Sequence, residues 1–286
     1  MDEALLQWLR LREAADAHAR SATLTRRMAG VLAARAPLHV LDLGTGAGSN
    51  VRYLALRLPR PQRWLAVDRS GVLLADLRAR TANLDIEIEA RKMDLASLDA
   101  AIFEGRHLVT ASALLDLVSE SWLRSLARHC RAAGSVALFA ITYNGRSSCR
   151  PAEPEDDWVR DLLNRHQKRD KGLGGPAEGP GAAVTAERCF ADEGYRVERA
   201  SSDWDLGPDD GALQRLLIDG WAEAARDMEP QRAGEIDNWR ERRVAHVGER
   251  RSHIIVGHDD LAAFPEDVGR VPPSESSSAR SGPTTH

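Results

Sequence analysis

The chain of 286 residues is 43% hydrophobic and 29% charged, which supplies enough apolar material for one large core with a small cap. This composition excludes a disordered, fibrous or disulfide-stapled chain. Lys plus Arg number 39 against 43 Asp plus Glu, a formal charge of -4, so no global field draws the protein to nucleic acid or anionic lipid.

In chain order, the first 35 residues read as two helices: Leu5, Leu6, Leu9 and Ala14 recur at helical spacing, and a second run after Ser21 carries Leu24, Met28, Val31 and Leu32. The N-terminus lacks the basic and long apolar regions of a signal peptide, and no later stretch stays apolar long enough to span a bilayer. The three cysteines, Cys130, Cys149 and Cys189, are far apart and form no CxxC pair or zinc-site spacing. A soluble cytoplasmic protein is the expectation.

From residue 38, short apolar runs alternate with amphipathic stretches, the rhythm of a parallel sheet covered by helices. Strands are predicted near 38–43, 63–67, 84–89, 107–112 and 135–142, with helices near 47–58, 70–80 and 121–132. Residues 144–182 break the rhythm and close on the irregular Gly/Pro run 172–181. Thr185 is placed to cap a helix ending at Gly194, followed by a strand near 195–201, helices near 209–228 and 231–247, and a final strand over 252–257. From Pro265 onward, Pro, Ser, Gly, Thr and charge predominate and predict a disordered tail.

The chemistry concentrates in His39-Val40-Leu41-Asp42-Leu43-Gly44-Thr45-Gly46-Ala47-Gly48-Ser49-Asn50, an apolar strand running into a glycine turn that opens a helix. A dinucleotide fingerprint reads G-x-G-x-x-G/A, whereas this turn reads G-x-G-x-G, with Ser49 where the last small residue would fall. Asp42, two residues before the first glycine, would repel a pyrophosphate and favour an ammonium or sulfonium. The next strand ends at Asp68, 20 residues beyond Gly48, where a carboxylate can accept from both hydroxyls of a ribose. A nucleoside with a cationic tail fits both acids; a plain tight turn is the competing reading.

With these motifs the sequence resembles the class I S-adenosylmethionine-dependent methyltransferases. The resemblance rests on Asp42-Leu43-Gly44-Thr45-Gly46-Ala47-Gly48, on Asp68, on Met93-Asp94-Leu95 after the third strand, and on Ser112-Ala113-Leu114-Leu115-Asp116-Leu117-Val118 after the fourth, and is strong over residues 36–142. It implies a doubly wound, mostly parallel seven-stranded α/β sheet, with an N-terminal helical cap over 1–35, a Rossmann-like domain over 36–264, a lid over 144–182 and the tail 265–286. It also implies S-adenosylmethionine as cofactor. Gly44, Gly46 and Gly48 would wrap the methionine moiety, Asp68 would hold the ribose, Asp94 and Leu95 would bracket the adenine, Ser112 would line the methionine side, and Asp42, Asn50 and Arg69 would complete the cofactor-binding set. Asp94 could equally cap a short helix. Arg12 or Arg20 would pair with the methionine carboxylate, unless both belong to a surface helix with ion pairs.

For the methyl acceptor, Asp116 stands where many small-molecule members carry a His or Glu, and a helix-capping role is the alternative. Tyr143 at the end of the fifth strand and His166 before the Gly/Pro run are further catalytic candidates, against core packing for Tyr143 and an exposed or structural role for His166. No Asn/Asp-Pro-Pro-aromatic motif follows the fourth strand and no Asp-Asn pair follows the fifth, so base methylation and a catalytic metal both lose support. The expectation is a methyltransferase acting on a small polar metabolite, without membrane or nucleic-acid partners. A non-catalytic binding protein of the same fold and a methyltransferase with an RNA or protein acceptor remain alternatives.

Overall fold

The structure, a computed structural model, describes residues 2–266. Two helices come first, α1 (Asp2–Ala19) and α2 (Ala22–Val31); Ser21 starts the second, its hydroxyl accepting from the Leu24 amide at 3.2 Å. The sheet is built from β1 (Leu38–Leu43), β2 (Gln62–Asp68), β3 (Glu87–Lys92), β4 (Leu108–Ser112), β5 (Val136–Arg150), β6 (Tyr195–Ser201), β7 (Trp204–Leu206) and β8 (His253–Pro265). Between them lie α3 (Ser49–Ala55), α4 (Gly71–Thr81), α5 (Glu120–Ala133), α6 (Asp156–Gln167), α7 (Ala182–Asp192), α8 (Gly211–Met228) and α9 (Ala233–Gly248).

The strand order is β3-β2-β1-β4-β5-β8-β6, with β7 pairing β8; β1 to β5 run parallel and β8 is antiparallel to its neighbours. This is the expected doubly wound, mostly parallel sheet, with β7 as an eighth strand too short to leave a periodic signal. Central strands are buried on both faces: Leu41 and Leu43 pack with Leu123 and Leu126 of α5, while Leu38 and Val40 pack with Val51 and Leu54 of α3 and Leu77 of α4. At the edge, β3 turns Glu87, Glu89 and Arg91 outward. It begins three residues later than predicted, because Leu84 and Ile86 pack into the core ahead of it and its register with β2 runs from Arg63↔Glu87 to Asp68↔Lys92.

Beyond the carboxyl ends of the parallel strands, β5 runs on to Arg150, well past its predicted end at 142, paired there with the start of β8, while the part of β8 past its predicted end at 257 lies in the main sheet between β5 and β6. Register shifts between Phe139 and Thr142, and again between Tyr143 and Ser147, bend this extension, and Ile141 sits at φ 54. With β7, α6, α8 and α9 it builds a separate core around Tyr143, Leu162, Trp204, Ile218, Trp239 and Ile254, against which Trp8 and Leu11 of α1 pack.

Residues 144–182 are therefore more regular than the sequence suggests, since β5 and α6 occupy the first part. The Gly/Pro run is irregular as predicted but pinned to the segment after β4: the Ser119 amide donates to the Leu173 carbonyl at 3.2 Å and the Glu178 amide to the Val118 carbonyl at 2.8 Å. Thr185 is not a cap. It lies inside α7, which starts after Gly181, and its hydroxyl donates to Glu178 Oε2 at 2.6 Å. Pro265 closes β8 and the Glu266 amide donates to the Gly194 carbonyl at 3.0 Å, so these two belong to the folded body; the rest of the expected tail lies outside the described residues. Among the described residues no helix is long and apolar enough to cross a membrane.

Candidate active site

At the end of β1 the chain turns through Gly44, Gly46 and Gly48 with φ of 61, 54 and 80 before α3 begins. Left-handed backbone at three alternate positions is the reason for glycine there. Space adds a second constraint: a Cβ on Gly48 would lie 2.9 Å from Leu77 of α4, and one on Gly46 would lie 3.3 Å from Leu9 of α1, which packs over the turn. Asp68, closing β2, braces this turn from below. Its Oδ2 accepts from the Gly46 amide at 2.9 Å and its Oδ1 from the Ser70 amide at 2.9 Å.

Behind the turn runs a buried polar chain. Asp42 is fully buried, and its Oδ1 accepts from Asn50 Nδ2 at 2.6 Å, while the Asn50 oxygen accepts from Arg20 Nη1 at 2.5 Å. Burial pushes the Asp42 carboxyl up to about 6, although Thr45, Asn50 and Arg20 favour its charge. Arg20 is buried as well, with its guanidinium 4.1 Å from the Tyr53 ring centroid. Burial lowers its pKa, opposed by Asp260, Tyr53, Asp42 and Asp16. After these bonds, Arg20 Nε and Nη2 and Asp42 Oδ2 remain buried without partners. Arg20, Asn50, Ser49, Tyr53 and Ser112 line a cavity of about 180 Å³ at this point.

The structure separates the two candidate arginines, Arg12 within α1 and Arg20 just after its end. Arg12 is occupied: it pairs with Asp16 at 3.0 and 3.2 Å and lies 5.0 Å from the Trp204 ring centroid, while Trp204 Nε1 donates to Asp16 at 3.0 Å. Arg20 retains free donors. On the proposed nucleoside side, Arg69 is exposed, and Asp94 is exposed and accepts from the Ala96 amide at 3.0 Å, the local turn named as its alternative. Leu95 is buried in the core, and its carbonyl accepts from Trp122 Nε1 at 2.7 Å.

Past β4, Asp116 occupies a single helical turn over Leu115–Leu117 and is 7% exposed, with Oδ1 unpartnered. Burial pushes its carboxyl up to about 6, against backbone amides, Arg12 and Lys171, which favour the charge. Tyr143 comes close through its backbone, but its hydroxyl donates to Asn164 at 2.8 Å. Burial raises the pKa of the Tyr143 phenol. Asp116 and Tyr143 are thus brought together. His166 turns toward Asp227 of α8, 3.6 Å away, and burial with Lys171 and Arg169 lowers its pKa.

Three contributors were not anticipated. Thr110 accepts from Asn50 at 3.1 Å, Asp260 stands behind Arg20, and His258 packs between the rings of Trp204 and Tyr143 with centroids at 5.0 and 6.1 Å. Burial and Arg12 lower the His258 pKa to about 3. The signal available was the polar run His258-Asp259-Asp260 inside a largely apolar strand. Among the described residues no three His, Cys, Asp or Glu side chains gather where they could hold a metal ion.

Residues 40–134 match a family model described as a methyltransferase domain. Among solved structures, a methyltransferase from Geobacter sulfurreducens described as S-adenosylmethionine-dependent and complexed with S-adenosyl-L-homocysteine is similar at 16% identity and a TM-score of 0.46, over 87% of this chain and 92% of that one. A cyclopropane synthase from Mycobacterium tuberculosis is similar at 13% identity and a TM-score of 0.47, over 86% of this chain and 88% of that one. No curated protein matches the sequence.

Proposed function

We propose that the chain, a methyltransferase of the class I, Rossmann-like kind, uses S-adenosylmethionine to methylate a small polar molecule by in-line transfer. The observation that carries the cofactor assignment is the set of unsatisfied atoms behind the glycine turn. Arg20 Nε and Nη2 are donors and Asp42 Oδ2 is an acceptor, the complement of a carboxylate beside an ammonium and a poor complement of a pyrophosphate. Buried polar atoms left unpaired are costly, so a zwitterionic amino-acid end fits where the protein alone leaves a deficit.

In this reading Gly44, Gly46 and Gly48 bring backbone against the methionine moiety, with Asn50 and Ser112 at its border. Asp68 and Arg69 take the ribose side, and Asp94 with Leu95 takes the adenine. When bound, the cofactor supplies a methyl group already activated on a sulfonium, so holding the acceptor in line is the main requirement. Asp116 takes the acceptor's proton: it is buried, one oxygen is free, and with a pKa of about 6 it is largely ionised at neutral pH yet still basic. Tyr143, fixed by Asn164, shapes the wall beside it, and His166, engaged with Asp227, is the second candidate for the proton. Helices α1 and α2 cap this face, and the 144–182 segment covers the acceptor side as a lid. The three free cysteines and the charge of -4 support a cytoplasmic enzyme with a small-molecule acceptor.

Isothermal titration with S-adenosylmethionine and S-adenosylhomocysteine tests the cofactor, and transfer of label from tritiated cofactor to a cytosolic metabolite extract tests turnover. Asp116→Asn should slow transfer about a hundredfold while leaving S-adenosylhomocysteine affinity intact. Absence of micromolar binding of both nucleosides would remove the proposal, and an undiminished rate in Asp116→Asn would remove the base.

A further inference from the structure

Asp260 is a carboxylate inside the last strand, 1% exposed, between Asp259 and the apolar run that starts at Leu261. Its two oxygens serve two remote backbone amides. Oδ2 accepts from Ser21 at 2.8 Å, 239 positions away, and Oδ1 accepts from Ile141 at 2.9 Å. Ser21 directly follows Arg20 and starts α2, so this bond fixes the main chain immediately behind the guanidinium. Ile141 sits at φ 54 where β5 and β8 slip register, a place where the sheet ladder offers its amide no regular partner. Of the carboxylates around Arg20, Asp260 does most to offset the burial of its charge, ahead of Asp42 and Asp16.

A buried acid in an apolar strand is expensive unless its charge and both oxygens are used. Here each oxygen is used, one on the elbow between α1 and α2 that carries Arg20 and the other on β5. We propose that Asp260 is a positioning residue for the amino-acid end of the cofactor: by tying the α1–α2 elbow to β5 it aims the free donors of Arg20 into the cavity beside Asn50. The inference rests on the S-adenosylmethionine reading above and assigns Asp260 no contact with the cofactor.

Two probes separate this role from a merely structural one. S-adenosylhomocysteine carries the amino-acid end, whereas 5′-methylthioadenosine has the same nucleoside and a thioether without it. By isothermal titration, Asp260→Asn should weaken S-adenosylhomocysteine by about tenfold and leave 5′-methylthioadenosine unchanged. Arg20→Met should show the same selectivity, and adding Asp260→Asn to it should cost less than about threefold more, because the two act on one interaction. Equal weakening of both probes, no weakening of either, or full additivity with Arg20→Met would overturn the inference. If Asp260→Asn does not fold by circular dichroism, Asp260→Glu, which keeps the charge and displaces the oxygens, is read by the same criteria. Failure of both variants to fold would assign Asp260 to scaffold alone and overturn the proposal. Wild-type protein that binds neither probe would overturn the cofactor reading itself, and this inference with it.

Discussion

The Asp42 carboxyl, held up to about 6 by burial in place of its ordinary 3.8, makes cofactor binding pH-dependent in a defined direction. A raised acid favours its protonated form in the fold: the stability it contributes is complete below its ordinary pKa and lost as pH rises through about 6. An ammonium set beside Asp42 acts oppositely and favours the carboxylate, so binding in acid must drive off a proton. At about pH 5 only about a tenth of the free protein is ionised at Asp42, and S-adenosylhomocysteine should bind about tenfold more weakly than at about pH 8. Nearly one proton should be released per ligand at the lower pH, read by calorimetric titration in buffers of different ionisation enthalpy. Among the groups facing Asp42, Thr45, Asn50 and Arg20 favour its charged form and Asp68 opposes it. Asp42→Asn should flatten the profile, whereas Asp116→Asn, on the acceptor side, should preserve it. Equal affinity at both pH values without proton release, or an unchanged profile in Asp42→Asn, would refute the placement of an ammonium at Asp42.

Two further outcomes concern the frame that holds the site. Gly48→Ala combines left-handed backbone at φ 80 with a Cβ 2.9 Å from Leu77; unfolding should show a loss of about 2–4 kcal/mol with weakened S-adenosylhomocysteine binding, whereas Gly30→Ala, a helical position with nothing within 4 Å, should be neutral or stabilising. Arg243 is fully buried, its Nε donates to Asp156 at 2.9 Å and its Nη1 to the Pro151 carbonyl at 2.7 Å. Arg243→Ala should therefore cost about 3–5 kcal/mol in denaturant unfolding, and a loss below about 1 kcal/mol would show that the pair contributes little to folding.

The parallel half of the sheet was legible because its determinants are local. Strands β1, β2 and β4 are short, largely apolar runs that lead into helical segments, and the glycine turn, Asp42 and Asp68 are fixed by distance along the chain rather than by remote pairing. The choice between Arg12 and Arg20 was not legible, since both belong to one predicted helical run and look alike as residues. Trp204, 188 positions from Asp16, decides it by joining the Arg12–Asp16 pair and leaving Arg20 with free donors. The same cause hid the order in the 144–182 segment. Its charged middle looks solvated, yet Glu153 pairs with Arg242 and His246, and Asp156 pairs with Arg243, all from α9, so charge that would mark a loop instead fastens α6 to the body. Only Val159, Leu162 and Leu163 on α6 are buried apolar residues, too few to show a helical stripe against that charge. Where a polar residue finds its partner far along the chain, local pattern assigns it to solvent by default. The backbone beside Arg20 is held by such a residue, Asp260, 239 positions from Ser21, whereas the glycine turn is fixed by neighbours along the chain, which is why sequence reasoning reached the turn and stopped short of Asp260.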